Sequence, residues 1–153
     1  MRIASILDRN DVTAAVPVGT KREVLAALVD LIQGNHPELD RAQLLNVLLR
    51  REELRSTGIE AGVAFPHGRV PHLKNLLACF GRCRKGVPFD SFDGRPTHFF
   101  VVLLVPEDAE GSHLKALARL NRMFQDAGFR ERLLAAPDAG ALHALILEQD
   151  EKG

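Results

Sequence analysis

The sequence predicts an α/β fold (α+β in how its elements segregate): a three-layer α/β/α single domain, with a small mixed β-sheet flanked by helices. Three observations carry this. Apolar residues recur at helical spacing towards both ends of the chain, and short apolar segments bounded by turn residues fill the middle. One of those segments, Phe99-Phe100-Val101-Val102-Leu103-Leu104-Val105, is apolar at every position. A run without alternation is expected of a central strand covered on both faces, and the flanking helices would supply the cover. The 153 residues are long enough to bury a core, so one domain over 1–153 is the economical expectation.

Val12, Ala14 and Val16 alternate and predict a short first strand. Thr20 followed by Glu23 is a capping-box signature, and Val24, Leu25, Leu28, Leu31 and Ile32 continue it as a helix. The stretch "GNHPELD" breaks that helix; Asp40 with Gln43 starts a second through Leu44, Leu45, Val47 and Leu48. Gly62 to Pro66 reads as a strand halted by the proline, and Leu76 to Cys83 as another. After the turn-rich "KGVPFDSFDGRP" and the central strand, Pro106 ends the β region. Leu114, Leu117, Leu120 and Phe124 form one helical stripe from Ser112 onward. "GFRERLLAA" gives a short helix, and Asp138 caps a last one through Leu142, Leu145 and Ile146.

Bulk properties exclude several classes of function. Twenty basic residues balance twenty acidic ones, so no global field draws the chain to nucleic acid or to an anionic membrane. Trp and Tyr are absent and the eight Phe are not interleaved with a basic stripe, which argues against a base-stacking surface. No apolar run reaches the ~18 residues of a membrane span, and "MRIASILDRNDVT" has no signal-peptide core, so a cytoplasmic location is expected. Cys79 and Cys83 fit neither a redox nor a zinc spacing and read as small buried hydrophobes on one strand face. His36, His98 and His143 carry no motif and are expected at the surface or in turns. A metal held by His67, His72 and a carboxylate has neither HExxH spacing nor an evident third ligand, and no Gly-rich P-loop occurs. No metal and no cofactor are expected.

The segment "GVAFPHGR" stands out. Pro66 keeps Phe65 out of helical space, and Gly68, lacking a Cβ, can adopt positive φ and admit a ligand to its amide. His67 is thereby expected at a rigid turn, mostly neutral at cytosolic pH and carrying a nucleophilic lone pair. A neutral imidazole accepts a phosphoryl group well, provided its other nitrogen is held and positive charge and N–H donors stand nearby. Arg50, Arg51 and Arg69 are candidates for the charge, with Arg50 the one most readily explained as a solvated helix end. His113, near the start of the helix after the central strand, adds a second imidazole beside a helix N-terminus suited to phosphate oxygens.

The strings "RREELRSTGIEAGVAFPHGR" and "VVLLVPEDAEGSHLKAL", with the closing "RERLLAAPDAGALHALI", resemble the fructose/mannitol-type IIA proteins of the bacterial phosphoenolpyruvate-dependent phosphotransferase system. The likeness covers essentially the whole chain and is closest to the stand-alone, nitrogen-regulatory members. It implies that His67 is the phosphoryl acceptor, modified on its tele nitrogen by a small HPr-like carrier. It further implies that Arg51, sixteen positions before His67, is the pocket arginine and that His113 is the second active-site histidine, hydrogen-bonding the phosphoryl group. Thr57, Gly68 and Arg69 match supporting positions. Phe65 departs from the Ile or Val usual before the proline, and Arg69 is not universal in the family.

The resemblance implies a phosphocarrier component of the phosphotransferase system, not a stand-alone turnover enzyme, that regulates unidentified protein targets through its phosphorylation state. The chain ends after its last predicted helix, with no IIB-like or membrane segment expected. A sugar-transport IIA that passes phosphate to a separate IIB protein, and an interaction module without phosphotransfer, are the alternatives. Transient docking is expected on an apolar rim near Phe65, Val70 and Leu73, without a deep pocket.

Overall fold

The structure is a computed structural model that describes residues 2–54, 56–109 and 111–153. After a 3-10 turn at Ile3–Ser5, its elements run β1 (Leu7–Thr13), α1 (Lys21–Asn35), α2 (Arg41–Leu54), β2 (Val63–Ala64), β3 (His67–Val70), β4 (Leu77–Val87), β5 (Thr97–Pro106), α3 (Ser112–Phe124), α4 (Ala127–Ala135) and α5 (Ala139–Lys152). The capping box forms as expected: Thr20 Oγ1 accepts from the Glu23 amide, and the Glu23 carboxylate accepts from the Thr20 amide. Asp40, Asp126 and Asp138 likewise accept the amides that open α2, α4 and α5.

The sheet is mixed. β1 lies parallel to β4, β4 antiparallel to β5, and both β2 and β3 run parallel to β5 along its other edge. β5 is therefore central, and its side chains alternate between two cores. Phe99, Val101 and Leu103 pack with Phe80, Leu120, Phe124, Phe129 and Ile146 on the side of α3, α4 and α5. Phe100, Val102 and Leu104 pack with Leu25, Leu28, Ile32, Leu44 and Leu48 on the side of α1 and α2. This is the three-layer arrangement that the uninterrupted apolar run predicts. Both cysteines are free and buried in the second core, and burial pushes the Cys79 thiol far up, which makes it an inert packing group.

Several boundaries differ from expectation, each for a local reason. The first strand is Leu7–Thr13, not 12–16: the polar Asp8-Arg9-Asn10 run lies at a register shift between Leu7 and Val12 and shows no alternation. β4 continues past Cys83 to Val87 because Arg84 and Lys85 are exposed strand residues. In α3 the buried residues are Ala116, Leu120, Met123 and Phe124, whereas Leu114, in the first turn beyond the core, is 60% exposed. His98 is a strand residue whose ring bonds the Cys83 carbonyl, and His36 pairs with the buried Asp11 at 2.9 Å. Arg119 joins α3 to α5 through Asp150, with Nε 2.5 Å from Oδ1. No helix among the described residues is long and apolar enough to cross a membrane.

Candidate functional site

The strand halts ahead of Pro66, at Ala64, but pairing with β5 resumes beyond the proline. β2 pairs Val63 with Phe99 and Ala64 with Phe100; β3 pairs His67 with Leu103. Two residues lie between Ala64 and His67 and two between Phe100 and Leu103, so the register is kept across Phe65-Pro66. Pro66 brings no amide, but its carbonyl still accepts the Leu103 N–H at 2.9 Å. His67 is thus the first residue of a strand hydrogen-bonded to the sheet's central member, a firmer mount than the expected turn. Phe65 turns its own peptide groups away from β5. Its N–H donates to the Thr57 carbonyl at 3.1 Å, and its carbonyl lies 2.8 Å from His67 Nδ1. A carbonyl can only accept, so Nδ1 carries the proton and the neutral ring keeps its lone pair on Nε2.

Alternation along the strand puts His67 on the α3 side and Gly68 on the α2 side. A Cβ at Gly68 would stand 2.2 Å from Val47 Cγ1. Gly68 is absent from the positive-φ residues, so its part is close packing of α2 on β3 and not the left-handed backbone expected of it. On the other side, the His113 ring on α3 has its centroid 6.3 Å from that of His67, tilted by 35°. His113 Nδ1 is buried without a hydrogen-bond partner among the described residues. Arg69 Nη1 donates to the carbonyls of Glu107 at 3.0 Å and Ala109 at 2.9 Å, which fastens the segment leading into α3. Arg69 therefore braces the helix carrying His113.

Arg51, in the last turn of α2, lines a cleft of about 810 Å³ together with Thr57, Phe65, His67, Phe92 and Asn121. The cleft is open to solvent and not enclosed. Its apolar rim lies elsewhere than expected: Phe65 is buried edge-on against Phe124 and Val70 is fully buried, while Phe92 is 82% exposed. Burial pushes the His67 imidazole below the ordinary histidine value. Arg51 and His113 add to that, against the opposing Phe65 carbonyl and Glu52 carboxylate. Burial, then the Arg69 charge, lowers His113 as well. Both rings are held neutral where a free histidine would begin to protonate.

All six residues to which the resemblance gives a part lie in or against this region: His67, His113, Arg51 and Thr57 at the cleft or its histidine pair, Gly68 beneath it, Arg69 behind it. Sequence reasoning missed Glu52. It is 8% exposed, one Oε accepts from both the amide and the hydroxyl of Thr57, and Lys21 Nζ meets the other at 3.0 Å. The Arg-Glu pair opening the quoted motif was one available signal and helical spacing another, since Glu52 follows Leu48 by four residues and Leu45 by seven, on the buried face of α2.

The family model described as phosphoenolpyruvate-dependent sugar phosphotransferase system, EIIA 2, matches residues 5–149. A nitrogen regulatory protein of Bradyrhizobium diazoefficiens is 34% identical over 146 residues, 95% of each chain. A fructose-specific EIIABC component of Bacillus subtilis is 30% identical over 151 residues, covering 99% of this chain and 24% of that one. Among solved structures, the nitrogen regulatory protein IIA-Ntr from Neisseria meningitidis superposes with a TM-score of 0.86 at 35% identity, covering 94% of this chain and 98% of that one.

Proposed function

We propose, from the premise that this chain belongs to the EIIA 2 family of the phosphoenolpyruvate-dependent sugar phosphotransferase system, that it is a phosphohistidine carrier with a regulatory role. His67 Nε2 accepts the phosphoryl group from the phosphohistidine of an HPr-like carrier. The observation that carries this reading is the His67 Nδ1 contact with the Phe65 carbonyl. It leaves Nε2 as the nucleophilic nitrogen, with His113 opposite and Arg51 in the same cleft. In the transfer, the Nε2 lone pair attacks phosphorus. The new N–P bond forms as the donor's N–P bond breaks, and the donor imidazole leaves with the electron pair. Arg51, His113 and the N-terminus of α3 offset the charge on the phosphoryl oxygens. The product places roughly two negative charges beside the cleft, enough to alter which protein surfaces fit it.

Incubation with phosphoenolpyruvate, enzyme I and an HPr-type carrier is expected to yield acid-labile phosphate on the wild-type chain and none on His67→Ala. Equal labelling of the two would refute the assignment. The fructose-specific relative supports a second reading, transfer onward to a sugar-specific IIB protein. Sugar-dependent discharge of the phospho-form would favour that reading, and phosphorylation-dependent capture of other proteins the regulatory one.

A further inference from the structure

We propose that Glu52 is a positioning residue for the phosphoacceptor, acting through Thr57 and the Phe65 peptide to hold His67 as the Nδ1–H tautomer; this rests on the reading of His67 as acceptor. The connection is continuous. Glu52 Oε1 accepts the Thr57 amide at 2.9 Å and also the Thr57 hydroxyl. The Thr57 carbonyl accepts the Phe65 N–H, and the Phe65 carbonyl accepts His67 Nδ1–H at 2.8 Å. In each link an N–H or O–H donates to a carbonyl or carboxylate that can only accept, so every direction is fixed where it stands; what the chain of bonds passes from Glu52 to the imidazole is the position of the Phe65 carbonyl.

The anchor suits the task. Glu52 is buried, so its carboxylate is not free to rotate into water, and Lys21 occupies its second oxygen at 3.0 Å. Lys21 also reaches Asp90 at 3.1 Å and sits 5.0 Å above the Phe89 ring, tying the anchor to the loop that forms the opposite cleft wall. Ser56 Oγ adds a bond to the Phe89 carbonyl at 2.7 Å. The peptide that faces the imidazole is thus fixed from a helix end, not from the mobile side of a turn. Pro66, which follows, sterically restricts the ψ of Phe65 and so limits the freedom of its carbonyl further. Without the anchor, the 57–59 segment loses its tether, the Phe65 carbonyl can tilt, and the ring can exchange its proton to Nε2, where it no longer attacks phosphorus.

The test is nitrogen-15 imidazole spectroscopy of the full chain, combined with the phosphorelay rate. In Glu52→Ala and Thr57→Val, His67 is expected to shift from the Nδ1–H towards the Nε2–H tautomer, with phosphoryl transfer slowed about tenfold to a hundredfold. Thr57→Ser, which restores the hydroxyl, is expected to recover both. Thr20→Ala, which removes a helix cap outside the chain of bonds, should leave the tautomer as in the wild type. A wild-type tautomer spectrum in folded Thr57→Val and Glu52→Ala would overturn the proposal; if Glu52→Ala does not fold, Thr57→Val decides. A wild-type chain that takes no phosphate would overturn the acceptor reading instead, while the tautomer comparison still judges the relay.

Discussion

A backbone carbonyl two residues earlier in the chain holds the His67 ring as the Nδ1–H tautomer, a contact no spacing rule reveals. The sequence marked the histidine, its proline and its glycine, but assigned the glycine a conformational role that belongs to packing. It also placed apolar docking residues at Phe65, Val70 and Leu73; the cores consume the first two, and Leu73 packs half-buried against the second core. Exposed chemistry of that kind depends on which face of a strand turns outward, and two short strands separated by Phe65-Pro66 carry too little pattern to tell. The exposed aromatic at the cleft is Phe92. As a solvent-facing ring on a loop, Phe92→Ala is expected to leave stability within about 0.5 kcal/mol. It should weaken docking of the phosphocarrier by about tenfold, since aromatic anchors dominate such interfaces. The measurement is the KM for the carrier in the phosphorelay, with the maximal rate retained.

At the scale of elements, periodicity found every helix, because each buries a stripe and opens on a side-chain cap or a sharp change of pattern. The strands were legible in proportion to their burial. The fully apolar β5 was plain, whereas β4 hid its charged half and β1 hid behind a bulge. The α2–β3 contact was not legible at all, since nothing in the sequence says that Val47 rests on Gly68. Gly68→Ala would force its Cβ onto Val47 Cγ1, and is expected to destabilise the fold by about 1–3 kcal/mol. Combining it with Val47→Ala should recover much of that loss. A double-mutant cycle by denaturant unfolding measures the coupling, and strictly additive effects would contradict the contact.

For the molecule as a whole, the site is assembled from both helical layers: Arg51 and Glu52 arrive on α2, His113 on α3, and His67 on the sheet between them. Both histidines have folded values below the ordinary ~6.5. As the pH falls, the unfolded chain therefore binds protons first. This stability is complete above about pH 6.5 and is lost as the pH drops through the lower folded values. Unfolding midpoints are expected to decline over that window, and His67→Gln should flatten part of the decline. The arrangement at Phe65 has one more consequence, for solubility. β2 and β3 form an outer margin of the sheet, where free amides and carbonyls would recruit strands from other molecules. Here the Phe65 amide is taken by Thr57, and its carbonyl is taken by the imidazole. The contact that fixes the imidazole tautomer thus also removes two groups at the join of β2 and β3 from edge-on pairing.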